Sequence, residues 1–289
     1  MVTVEQFTHR GIHFLNEDAL VVNERAAVYG VLDGVSSIVP YLSDKKETGG
    51  YIAAQAVKNY FESLDRVEQL TEHAAAANQK LRELMVQANI NLEEKDGLWG
   101  TALALVRIQE DRVEFIQTGD CMILAVYQDG EVRPLTWRQV AHLESPAIEK
   151  WEEGVNKGLS NQKDLHGTVM DIIRENRFQS NTNGGYGVLN GEARAAHFLE
   201  YGKINRSRLK HVILLSDGLF WPSKDVPSDR SYWDYTAQRI LEMGVEQYAH
   251  ELLEIEEADP ECLTYARFKK SDDKTGMVLH FNSRYMVNR

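Results

Sequence analysis

Three apolar runs in this chain end on an aspartate, and that repetition constrains the fold more than any other feature. Val28-Tyr29-Gly30-Val31-Leu32 leads into Asp33-Gly34, Phe115-Ile116-Gln117-Thr118-Gly119 into Asp120, and His211-Val212-Ile213-Leu214-Leu215-Ser216 into Asp217-Gly218. A short continuous apolar run bounded by turn residues reads as a strand covered on both faces. One Asp-Gly pair after such a run is a common turn signal, because glycine accepts positive φ. Three strand ends that each deliver a carboxylate say more. Two further acidic clusters flank them: Asn16-Glu17-Asp18 before Ala19, and Asp272-Asp273-Lys274-Thr275 before Met277. Unpaired charge at the rim of a core is costly. Hard divalent cations remove that cost, since Mg²⁺ and Mn²⁺ take oxygen ligands in octahedral sets mixed with water.

The order Asn-Glu-Asp at 16–18, Leu-Asp-Gly at 32–34, Gly-Thr-Ala at 100–102, Thr-Gly-Asp at 118–120, Leu-Ser-Asp-Gly-Leu at 215–219 and Asp-Asp-x-Thr at 272–275 resembles the metal-dependent protein phosphatases of the PP2C family in their bacterial form. Each motif alone is weak, but all of them in the expected order, from Asn16 to Phe281, make a specific match. The resemblance implies an α+β fold, a four-layer αββα sandwich of two mainly antiparallel sheets flanked by helices. It also implies a phosphomonoester hydrolase acting on phosphoserine or phosphothreonine in proteins. In such a site two cations about 3.5–4 Å apart share a hydroxide and hold it in line with phosphorus.

By the same resemblance Asp33 is the bridging carboxylate, Asp217 and Asp272 complete the set of one ion, and Glu17 with the Gly34 carbonyl serves the other. Asp18 then orients water or ligand beside them, and Asp120 matches the residue that binds a third, weaker ion. Carboxylates and water suit Mn²⁺ and Mg²⁺ equally, so two ions of either kind, with room for a third, are the expected cofactors. Two departures stand out. Where the family carries a phosphate-binding Arg four residues before the Glu, this chain has His13; Arg10 lies close by and can grip phosphate from several approaches, so both are candidates for the phosphate contact. Where animal members carry a general-acid His after the Asp-Gly pair, this chain has Val35, as bacterial members often lack that His. A hydrolase of small phosphorylated metabolites, a non-catalytic member kept as a binding module, and a generic acidic binding protein remain open alternatives.

With 289 residues the chain can form one large domain or two small ones. One domain over 1–289 is expected, because the acidic motifs span the chain and need each other. The excess of 44 acidic over 32 basic residues, net charge −12, argues against nucleic-acid binding, which rests on a basic face. Cys121 and Cys262 are the only cysteines, with no zinc-type spacing. Cys121 follows Asp120 with no basic partner near it in sequence, which reads as a small buried apolar residue. Gly184-Gly185-Tyr186-Gly187 lacks the Lys-Ser/Thr of a P-loop. No leader pattern opens the chain and no run is long enough to span a bilayer. A cytoplasmic monomer with a phosphorylated protein as its partner is the expectation.

Along the chain, strands are expected at Val2–Phe7, Ala19–Asn23 and Ala27–Leu32, then a loop over Val35–Lys46 and helices over Tyr51–Leu64 and Thr71–Asn91 that form an outer layer. Ala102–Ile108, Arg112–Thr118, Cys121–Gln128 and Glu131–Leu135 read as an antiparallel meander. The segment at about 137–210 resembles by position the mobile flap of the bacterial enzymes but departs from it in sequence, with helices at Ala147–Lys157 and Gln162–Arg177, a loop at 181–187 and a strand at Glu192–Glu200. Strands at Val212–Leu215 and Met277–Phe281 enclose two helices, Tyr232–Met243 and Val245–Glu257.

Overall fold

Period-two burial along the strands builds three layers of core at once. In the computed structural model, which describes residues 2–35, 37–222 and 230–281, the chain opens with β1 (Val2–His9), β2 (Ala19–Asn23) and β3 (Val28–Val35), followed by α1 (Gly49–Glu62) and α2 (Leu70–Gln87). Next come β4 (Gly100–Ile108), β5 (Arg112–Thr118), β6 (Met122–Tyr127) and β7 (Val132–Pro134), then α3 (Ala141–Asn156) and α4 (Gln162–Phe178). The last third holds β8 (Glu200–Asn205), β9 (Leu209–Leu215), α5 (Arg230–Met243), α6 (Val245–Ala258) and β10 (Lys274–Phe281). Among the described residues the strands form two five-stranded sheets, ordered β1-β10-β9-β6-β7 and β2-β3-β4-β5-β8, and the neighbours in both pair antiparallel.

Alternate residues of β3 show how the layers arise. Tyr29 and Val31 point between the sheets, into a core shared with Ala104, Ile123, Val212 and Leu279. Val28 and Leu32 point the other way, under α1 and α2, against Val57, Phe61 and Leu70. On the far sheet Leu124, Ile213 and Val278 turn outward beneath Ala237, Tyr248 and Leu252 of α5 and α6. The result is the helix–sheet–sheet–helix stack expected from the sequence. Helices α3 and α4 pack around Trp151 in a separate cluster with Leu165, Val169 and Cys262.

Four expectations need correction. The β3 strand does not stop before Asp33-Gly34: it runs through both, pairing Asp33 with Ala102 and Gly34 with Thr101, so the Asp-Gly pair is strand rather than turn. The four strands from β4 to β7 are not one meander, because β5 belongs to one sheet and β6 to the other; Gly119 and Asp120 sit where the chain crosses over. The strand placed at Glu192–Glu200 is a short 3₁₀ segment, Ala193–Phe198, and the strand follows at β8. Helix α3 begins before Pro146, not after it, with the Ser145 hydroxyl donating to the Ala141 carbonyl at 2.8 Å. Of the expected loop over 35–46, Ser36 lies outside the described residues.

Candidate active site

The topology brings the acidic residues to one end of the sandwich. The end of β3 lies beside the start of β4, and β2 starts opposite it, Ala19 facing Leu32. On the other sheet the end of β9 meets the start of β10, Leu215 facing Gly276, while Met122 at the start of β6 faces Leu215. Glu17 and Asp18 before β2, Asp33 in β3, Asp120 before β6, Asp217 after β9 and Asp272 before β10 therefore share one rim. Their charges act on one another: Asp33 feels Asp18, Asp217, Asp120 and Asp272.

Backbone groups hold this rim in shape. Asp273 is buried and accepts the Gly11 amide at 2.7 Å and the Glu17 amide at 2.6 Å, tying the β1–β2 loop to the start of β10. The Ser216 hydroxyl donates to Asp18 Oδ2 at 2.7 Å and accepts the Thr275 amide at 3.0 Å. Thr101 Oγ1 donates to the Asp33 carbonyl at 2.9 Å. Thr48 caps α1 by accepting the Tyr51 amide at 3.2 Å and donates its hydroxyl to Glu17, so Glu17 sits against a helix start, where negative charge is favoured. Gly34 has no alternative here: a Cβ would stand 2.5 Å from the Glu17 carbonyl oxygen and 2.7 Å from that of Gly50.

Burial and mutual repulsion set the protonation of the cluster. Burial, then the charges of its neighbours, pushes the Asp33 carboxyl well above the carboxylate range. Burial with Asp272 and Asp120 raises Asp217 to about 7, against the pull of Lys269 and a hydrogen bond with Asp33. Asp120 is raised to about 6 by burial and Glu144, against Arg138. Asp18 is also raised, by burial above all, although the Ser216 hydrogen bond opposes it. Asp272 is the exception: burial pushes it up, but Lys269 outweighs burial and holds it low. Burial and the nearby carboxylates push the Cys121 thiol upward, so it is no nucleophile, as its sequence context suggested.

Among the described residues no three acidic, histidine or cysteine side chains are drawn together in a way that could hold a metal ion as they stand. The reason is visible in their partners. Lys269 takes both oxygens of Asp272, each at 2.8 Å, Thr48 and Ser216 take oxygens of Glu17 and Asp18, and Asp33 shares a hydrogen bond with Asp217. The donor chemistry nonetheless fits a hard divalent cation: an all-oxygen set, carboxylates raised by one another's charge, and a rim that an added positive charge would stabilise.

The two predicted phosphate contacts stand apart from this network. Arg10 and His13 are exposed on the β1–β2 loop, and Arg10 donates to the Phe14 carbonyl at 3.0 Å. The cations that bear most on the carboxylates are Lys269 and Arg138, which sequence reasoning missed. Lys269 opens a Lys-Lys pair that reads as solvated charge, and Arg138 follows a tryptophan in an irregular stretch. A cavity of about 180 Å³ leads away from Asp120 between Val35, Leu143, Glu144, Arg177 and Phe268, which brings the divergent helices α3 and α4 against the site. A larger one, about 630 Å³, lies along β7 by Arg133, Trp137 and Trp233 and holds none of the five aspartates.

Two antiparallel sheets between paired helices thus bring Glu17 and five aspartates to one rim. A sequence model of the protein phosphatase 2C family matches residues 7–255, and the chain belongs to that family, which makes it a metal-dependent protein phosphatase. No curated protein matches it in sequence. Solved structures match along the whole chain: the serine/threonine phosphatase Stp1 from Staphylococcus aureus at 16% identity and TM-score 0.59, covering 98% of this chain and 96% of that one, and the Mycobacterium tuberculosis phosphatase PstP/Ppp at 19% and 0.56, covering 97% and 99%. A catalytic domain of PstP, solved in complex with two manganese ions, matches at 18% and 0.56, covering 96% and 97%. At such identities the structures speak to the fold, and the family rests on the sequence. Neither a metabolite phosphatase nor a non-catalytic module is favoured.

Proposed function

We propose that this chain removes phosphate from phosphoserine or phosphothreonine with two divalent ions, Mn²⁺ or Mg²⁺, held on the shared rim, and that Asp33, Asp217 and Asp272 hold one ion while Asp33, Glu17 and the Gly34 carbonyl hold the other. Bound divalent ions supply an activated water and screen the charge of the phosphate. The protein's own part is to fix the donors. Asp273 pins the loop that carries Glu17, Thr101 pins the Asp33 backbone, and Ser216 orients Asp18 toward the waters or ligand at the rim. Asp120 is the candidate for a third, weaker ion. Arg10 and His13, on the same loop as Glu17, are the candidates to meet the phosphate.

The observation that carries this reading is the convergence of Glu17, Asp18, Asp33, Asp120, Asp217 and Asp272 on one rim, where neighbouring carboxylates act on Asp33. Such an arrangement is costly unless a cation relieves it. The test is hydrolysis of phosphoserine and phosphothreonine peptides after chelation, with Mn²⁺ and Mg²⁺ titrated back. Activity that returns with the metal supports the assignment; turnover unaffected by chelation and re-addition would sink it.

A further inference from the structure

Three lysines lie within six residues at the start of β10, and they have different tasks. Lys270 pairs with Glu257 at 2.8 Å, and Lys274 is buried against Glu256 at 2.8 Å. Lys269 alone of the three reaches a side-chain carboxylate of the acidic rim, its ammonium 2.8 Å from each oxygen of Asp272. The segment that carries it is not loose. Arg267 is tied to Asp259 at 2.7 Å and donates to the Lys270 carbonyl at 3.0 Å. Asp259 in turn accepts the amides of Leu263, Thr264 and Tyr265. On the other flank the Lys274 ammonium donates to Ser271 Oγ at 3.0 Å and to the Asp272 carbonyl at 3.1 Å. Phe268 packs edge-on against Trp151, ring centroids 6.1 Å apart, and so anchors the residue before Lys269 in the α3–α4 cluster.

We propose that Lys269 is a built-in counter-cation of the acidic rim that competes with divalent metal for Asp272, so that the metal centre fills only when the metal displaces the ammonium. The proposal rests on the reading of Asp272 as a metal ligand. An ammonium that bonds both oxygens of a carboxylate leaves no lone pair in the same direction for a second cation, and like charges cannot both sit at hydrogen-bond distance on one side of it. Lysine suits the role because its ammonium sits on a flexible four-carbon stem. The side chain is 44% exposed, so it has solvent to move into when a metal arrives. The contact therefore holds the rim together without metal and raises the metal concentration at which the enzyme switches on.

The test is isothermal titration of the full chain with Mn²⁺ after removal of metal by chelator, for the wild type, Lys269→Met, Lys269→Arg and the double variant Lys269→Met with Asp272→Asn. Breaking one charge-assisted pair, worth about 1.5–3 kcal/mol, corresponds to about tenfold or more in Kd, so Lys269→Met should bind Mn²⁺ about tenfold more tightly than the wild type. Lys269→Arg, which keeps the charge and offers a fork that matches a carboxylate, should show no gain over the wild type, and the double variant should lose the gain. In chelator, Lys269→Met should melt below the wild type, and in saturating Mn²⁺ the two should melt together. Unchanged or weaker Mn²⁺ binding in a folded Lys269→Met would overturn the proposal, as would a gain that survives Asp272→Asn. If Lys269→Met does not fold without metal, Lys269→Gln, which keeps a neutral donor, replaces it with the same expected gain. A wild type that takes up no Mn²⁺ defeats the reading of the metal site itself, a result distinct from metal uptake that is indifferent to Lys269.

Discussion

Asp33 is the residue on which the site turns, and its backbone and side chain are governed separately. The backbone is strand, fixed by Ala102 opposite and by the Thr101 hydroxyl on its carbonyl; the side chain is raised by burial and by four other aspartates. Asp33→Ala should therefore fold, and in chelator it should melt higher than the wild type, because a repelling carboxylate has gone while the ladder remains. Phosphatase activity should fall by far more than tenfold. A variant that keeps a tenth of the wild-type rate would remove Asp33 from the role of shared ligand. At this scale the sequence was informative where chemistry repeats: Asp33, Asp120 and Asp217 each close an apolar run, and Asp272 opens one. It was silent on Lys269 and Arg138, because a cation's significance depends on which carboxylate it turns toward; for Lys269 the segment is held by Arg267 and Phe268, and Arg138 pairs with Glu144, neither of which spacing announces. Asp273 stood inside the Asp-Asp-x-Thr motif, but only the fold shows that it, rather than Asp272, accepts the Gly11 and Glu17 amides.

The elements were legible to the extent that burial on one or both faces leaves a pattern. Arg112–Thr118 and Ala19–Asn23 have the expected bounds because both are held within a sheet. At β8 the outward residues are polar and Tyr201 is two-thirds exposed, so this edge strand carries little periodicity to read. The assignment of β5 and β6 to different sheets follows from a crossover at Gly119, whose φ of +68° no composition rule announces. The start of α1 shows how an element contributes to the site. Thr48 is both its N-cap and the hydroxyl donor to Glu17, so one side chain orders a helix end and a candidate ligand together. Thr48→Val keeps the shape and loses both bonds. The cap alone predicts a loss of about 1 kcal/mol in chemical denaturation, with weaker Mn²⁺ binding alongside it, and Thr48→Ser should restore both. If only stability moves, the Thr48 hydroxyl does not position Glu17.

For the molecule as a whole the raised carboxylates Asp217 and Asp120 make stability depend on pH in the direction opposite to that of a salt-bridged carboxylate such as Asp272, and metal should reverse it. Asp217 is raised to about 7 and Asp120 to about 6, while both have a value near 3.8 in the unfolded chain. Between those limits the folded protein binds more protons than the unfolded one, so their contribution is fully present below about pH 3.8 and is lost as pH rises through the folded values. His211 works in the other sense. Burial and His280, whose Nδ1 lies 2.9 Å from that of His211, lower it to about 4, so its contribution is lost as pH falls below 6.5. The two effects overlap, but only the first belongs to the rim. Melting curves recorded with chelator and with saturating Mn²⁺ share the His211 term, and their difference isolates the carboxylates. A cation favours the ionised carboxylates, and occupied sites stabilise only the folded state. The rise in melting temperature caused by Mn²⁺ should therefore grow steadily from about pH 5 to pH 8 and should shrink in Asp217→Asn. A Mn²⁺ effect that is the same at every pH in that range would place the bound ion away from Asp217 and its neighbours, whatever the phosphatase activity of the chain.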